Sequence, residues 1–66
     1  MTLQLTTAQA LELSAALANY LQELEFEIAR TDEKAFRHDL RTRADLLEEI
    51  RRRLDAARSA EESAYA

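Results

Sequence analysis

The side chains that could do chemistry are few. His38 is the only histidine and there is no cysteine. Glu23 and Glu27 stand four residues apart, which on a helix places two carboxylates on one face and could begin a metal site. Bundle metal centres of that kind also need inward-facing Glu-x-x-His pairs. Three residues before His38 stands Ala35, so the second half of the set is missing. Nucleophilic catalysis would need a Cys, or a Ser with a histidine and a carboxylate close by, and the sequence supplies neither. Arg51-Arg52-Arg53 reads in print as a phosphate-binding patch. Successive helical residues point about 100° apart, so the three fan around the rod, with Glu48, Glu49 and Asp55 beside them. That run therefore reads as a solvated, ion-paired face. The expectation is no catalytic residue, no metal and no cofactor: a chain that is not an enzyme.

If the chain acts by holding other macromolecules, the hydrophobic stripes say how. With no Gly and no Pro, the usual helix stop signals are absent, and one long helix is the competing reading. The phase of the stripes opposes it. Leu17, Leu21, Leu24 and Ile28 make one seam. Phe36, Leu40, Leu47, Ile50 and Leu54 make another, with Arg43 and Ala44 filling its gap. Extending the first seam by heptads leads to Thr31, Ala35, His38 and Thr42, of which only Ala35 is apolar. On one straight rod the two seams would lie on different sides. A reversal at Arg30-Thr31-Asp32-Glu33-Lys34 lets them face each other. Thr31 or Asp32 could cap the second helix, Asp32 and Glu33 suit its positive end, and Arg30 suits the negative end of the first.

The predicted fold is all-α: a two-helix antiparallel hairpin with helices over about 7–30 and 33–58. Thr6 and Gln9 have capping-box spacing at the start of the first. Leu13 and Tyr20 join its seam, with Ala10 and Ser14 as small residues near its start. On the second helix Glu33–Arg37, Asp39–Arg43, Glu48–Arg52 and Glu49–Arg53 are spaced for ion pairs along a wet surface. Residues 1–6 are expected as an extended N-terminal arm, with Leu3 and Leu5 folding onto the hairpin's end. Residues 59–66 are expected as a frayed tail. The whole chain, 1–66, is one domain.

A chain of 66 residues folded as one hairpin has a single buried face and a thin core. Without disulfide or metal the remaining stabiliser is association. The hairpin is therefore expected to dimerise into a four-helix bundle, as a homodimer or higher homo-oligomer. Its expected oligomer core is Leu13, Leu17, Leu21, Leu24, Ile28, Phe36, Leu40, Leu47, Ile50 and Leu54. Formal charge is −4. Residues 1–30 carry four Glu against one Arg, while 31–58 are nearly balanced. That makes nucleic acid and anionic membrane poor partners. No basic stretch precedes an apolar run and no stretch is long enough to span a bilayer, so the cytoplasm is the expected location. The bias to Arg and Ala fits a bacterial gene rich in G and C.

Two residues break the pattern. Arg43 falls on the second seam, where its stem is expected to pack and its guanidinium to reach a carboxylate at the edge. Phe26 lies away from Leu24 on the first helix, near Asn19. With Leu11, Ala15, Ala18 and Gln22 it forms a candidate second interface, toward another copy or an unknown protein partner.

The length, the hairpin and the Ala44-Asp45 pair near the middle of the second helix resemble the Rop-type plasmid RNA regulators, which are dimeric four-helix bundles. That family binds paired RNA loops through the outer face of its first helix with Asn, Gln, Phe and Lys. Asn19, Gln22 and Phe26 lie on such a face, but the lysines are absent and Glu12, Glu23 and Glu27 surround it. The run Glu27-Ile28-Ala29-Arg30-Thr31-Asp32, with Phe36-Arg37 and Leu40, also resembles short uncharacterised bacterial helical-hairpin proteins, which imply no activity. The function expected is a non-enzymatic homo-oligomeric interaction or regulatory module. The alternatives are a Rop-type RNA-binding regulator and an adaptor or antitoxin-like subunit that folds on a protein partner.

Overall fold

The chain reverses over three residues. In a computed structural model, which describes the backbone of residues 1–64 and the side chains of residues 1–60, helix α1 spans Thr7–Arg30 and helix α2 spans Lys34–Ala64. The two pack against each other as an antiparallel hairpin. α1 begins with the capping box that its sequence encodes. Thr6 Oγ1 accepts from the Gln9 amide at 3.1 Å, and Gln9 Oε1 accepts from the Thr6 amide at 2.9 Å.

The turn differs from expectation at its caps: α2 starts at Lys34, one residue later than expected, and neither Thr31 nor Asp32 caps it. Thr31 closes α1 and does not open α2. Its backbone is extended (φ −85°, ψ 124°), and its hydroxyl donates back to the Glu27 carbonyl at 2.6 Å. The Arg37 guanidinium donates to the Thr31 carbonyl, through Nε at 3.1 Å and also through Nη2. The orphan carbonyls at the end of a helix need donors, and these two side chains supply them where glycine is absent. Arg37 is thereby taken from its expected partner Glu33.

α2 continues beyond the expected end at 58, through Ala64. Residues 59–64, Ser-Ala-Glu-Glu-Ser-Ala, hold no Gly or Pro, and four of the six are alanine or glutamate, both good helix formers. The seam ends before the helix does. The expected fraying of residues 65 and 66 falls outside the described residues.

The core is one strip. Leu21, Leu24, Ile28, Leu40 and Ala44 are buried in a single cluster with Leu47 packed at its margin. Ala10 and Ser14 extend the strip toward the open end. Ala44, between Leu40 and Leu47, gives the close approach that a larger side chain would prevent. Leu5 of the arm is half-buried beside a cleft formed with Leu3, Ala10, Leu54 and Ala57. The molecule measures 48 × 22 × 16 Å. Its thin dimension is little more than one helix with side chains, about 10–12 Å. A single layer of two helices leaves both of its broad faces to solvent.

Candidate interaction face

The heptad positions divide between the inside and one broad face. Leu17 and Leu24 in α1, and Leu40, Leu47 and Leu54 in α2, are buried or half-buried. On one side, residues three or four positions away from them stay in solvent. Leu13 is 38% exposed, Tyr20 40%, Phe36 48% and Ile50 49%. At about 100° per residue these four fall on the same flank of the buried line in both helices. Because the helices run antiparallel, those flanks share one side of the hairpin. Tyr20, Leu24, Phe36 and Leu40 accordingly line one groove, with Phe26 at its α1 rim and Glu23, Glu27, Arg30 and Arg43 around it. Leu46, 59% exposed, widens the apolar strip at its α2 edge.

The opposite broad face is polar. A shallow groove there is lined by Ala18, Gln22, Glu25, Arg41, Asp45 and Glu48. Arg41 bridges the helices by donating from Nη1 to Glu25 Oε1 at 2.9 Å, with Nη2 at 3.4 Å from the second oxygen. Both side chains are about half exposed, so the pair contributes little stability, of order 0–1 kcal/mol. It fixes which side chains are level across the hairpin.

The expected oligomer core thus splits. Leu21, Leu24, Ile28 and Leu40 are buried within the hairpin, and Leu17, Leu47 and Leu54 are half-buried. Leu13, Phe36 and Ile50 belong to the exposed face. Arg43 departs from expectation. It stands exposed in the apolar groove and makes no ion pair within the described residues. Asp39, its expected partner one turn earlier, is likewise unpaired. Of the four ion pairs anticipated along α2, Glu49–Arg53 forms at 3.0 Å.

A polar cluster at the open end was not anticipated. Ser14 Oγ donates to Asp55 Oδ1 at 2.8 Å. Arg58 Nη2 lies 3.4 Å from the same oxygen, and Arg51 Nε lies 3.9 Å from Oδ2. The sequence signal was present: Ser14 precedes Leu21 by seven residues, and so sits on the inward line.

The candidate second interface lies on the outer side of α1, and its Phe26 also reaches the rim of the apolar groove. Phe26 is 61% exposed and Leu11 46%. Ala15 and Gln22 are exposed and Ala18 half-buried. Phe26, Gln22, Glu25 and Ala29 enclose a small apolar hollow. His38 is exposed and distant in phase from the apolar face.

Among the described residues no helix is long and apolar enough to cross a membrane. Comparison with protein-family models, with curated proteins and with solved structures returns no match to this chain.

Proposed function

We propose that the chain is a non-enzymatic, cytoplasmic, homo-oligomeric helical module whose functional form is a four-helix bundle of two hairpins, packed apolar face on apolar face. The observation that carries this reading is the row Leu13, Tyr20, Phe36 and Ile50, each more than a third exposed on one side of the molecule. Scattered surface hydrophobics need no explanation, but a contiguous strip between two helices does.

Surface area points the same way. The chain exposes 5417 Å². A folded protein of 7.6 kDa exposes about 4,300 Å² by the usual scaling of surface with mass. The surplus, about 1,100 Å², includes the exposed start of the arm and the end of α2 past the packed strip, and is of the order of the ~800 Å² per partner of a standard interface. Seams with three- and four-residue spacing suit the shallow crossing angle of such bundles, about 20°.

In this reading the dimer presents its polar faces and the Phe26 strip outward, and the strip is the surface left for a further partner. Sedimentation equilibrium tests the reading. A mass near twice 7.6 kDa is expected. A single species of monomer mass that stays helical at the highest attainable concentration contradicts it.

A further inference from the structure

We propose that the two copies lie with their turns at the same end of the bundle, oriented by reciprocal ion pairs between Arg43 of one copy and the partner's Glu27. This rests on the homodimer reading above and adds the orientation.

The exposed positions of the two helices form one ladder. In α2, Phe36, Arg43 and Ile50 recur every seventh residue; in α1, Leu13, Tyr20 and Glu27 do the same. The Arg41–Glu25 contact and the Ser14–Asp55 contact show which residues are level. Moving away from the turn, the two series then interleave as Phe36, Glu27, Arg43, Tyr20, Ile50, Leu13. Two of these six are charged, with opposite signs, on different helices and adjacent in order. Their axial separation is about one helical turn or less, ~5 Å, within reach of an arginine side chain.

Neither is fully used at home. Arg43 has no ion pair among the described residues. Glu27 holds Arg30 at 2.6 Å in a pair whose side chains are 51% and 71% exposed, a contact easily exchanged.

A twofold axis can bring this face onto its copy in two ways. With the axis along the helices, α1 lies over the partner's α2 and the turns share an end. Each Arg43 then comes beside the partner's Glu27, and the partner's Tyr20 offers a ring edge or face on the other side. With the axis across the helices, α1 lies over the partner's α1 and α2 over the partner's α2. In full overlap this reverses the levels, so Arg43 meets the partner's Leu54 and Glu27 meets the partner's Ala10 and Leu13. Four charges then enter an apolar interface with no opposite charge to meet them. Charges desolvated without partners disfavour an arrangement strongly, while complementary ones fix register. Glu23, unpaired on the same acidic edge, strengthens the match in the first arrangement only.

The test uses the full chain carrying Asp32→Cys, a single exposed label site in the turn of a protein with no native cysteine. Nitroxide labels and dipolar distance measurement should give about 20 Å or less, roughly two interhelix spacings. Turns at opposite ends would stand apart by about the length of α1, 24 residues or ~36 Å. In parallel, Arg43→Glu should raise the dimer Kd at least tenfold, and the double exchange Arg43→Glu with Glu27→Arg should restore most of the loss. A dimer with the long distance overturns the arrangement and leaves the homodimer standing, as does an Arg43→Glu protein that dimerises like the parent. A monomeric mass for the labelled and the parent protein overturns both.

Discussion

The Ser14 hydroxyl donates to Asp55 at 2.8 Å across 41 residues of sequence. It is the polar counterpart of the leucine strip. Near the turn the two helices are held by connectivity and by Ile28 and Leu40. At the open end, where nothing connects them, a buried serine and a half-buried carboxylate fix their register. Arg51 and Arg58 crowd the same carboxylate, and the Nε atom of each is buried without a hydrogen-bond partner. Among the described residues, Asp55 is therefore the counter-charge for two partly covered cations.

Asp55→Ala should destabilise the hairpin by about 1–3 kcal/mol per chain, since it strands Ser14 and both guanidinium groups. Ser14→Ala should cost about 1 kcal/mol. In a double-mutant cycle read by urea unfolding, the pair should show a coupling of about 0.5 kcal/mol or more. Strict additivity would mean that the contact fixes nothing.

Among the leucines, burial ranks the expected losses. Leu24 is 4% exposed and Leu24→Ala should cost about 2–5 kcal/mol. Leu47, at the cluster's margin, should lose less in the isolated hairpin and approach Leu24 only if a second copy covers it. Glu49→Ala should change stability by no more than about 0.5 kcal/mol, as ordinary surface substitutions do. Equal small effects at all three would show that the strip is misplaced.

The hairpin itself was legible because its signals are local or periodic. Thr6 and Gln9 announce the first helix, and the two seams change phase across Thr31. Leu21, Leu24, Ile28 and Leu40 follow from that phase alone. What was not legible depends on the pairing of the helices. A heptad pattern marks Leu17 and Tyr20 alike as seam residues, and only the relative rotation of α1 and α2 sends Leu17 inward and Tyr20 to the open face. Arg37 and Thr31 show a second limit. The spacing Glu33–Arg37 is right for an ion pair, yet the carbonyls ending α1 are stronger claimants on that guanidinium. Arg43 shows a third: Asp39 is spaced for it and Glu23 and Glu27 line the same groove, yet none of the three comes within ion-pair distance.

Two substitutions separate the faces. Ile50→Lys puts a charge between Tyr20 and Leu13, in the uncharged half of the apolar face, and should convert the dimer to monomer with loss of helicity at low concentration. Phe26→Ser alters the outer side of α1 and should leave dimer mass and helicity unchanged, while abolishing any larger assembly or partner capture that depends on that strip. Size-exclusion chromatography with light scattering, alongside circular dichroism, reads both. Dissociation by Phe26→Ser and none by Ile50→Lys would mean that the hairpins meet through the wrong face in this account.

Paired RNA loops and duplex DNA should not bind specifically near physiological salt. α1 carries four Glu and one Arg, and its outer side has Asn19, Gln22 and Phe26 without a lysine. A titration by fluorescence anisotropy at several salt concentrations checks this. A complex of micromolar Kd or better, weakening steeply with salt as phosphate contacts do, would favour an RNA-regulator role over the interaction module proposed here.

The central claim is that folding and association are one process, and thermal unfolding followed over a hundredfold range of protein concentration tests it most directly. If the folded species is the dimer, mass action makes the midpoint rise steadily with concentration. A midpoint that stays constant across that range, with a solution mass of 7.6 kDa, would contradict it.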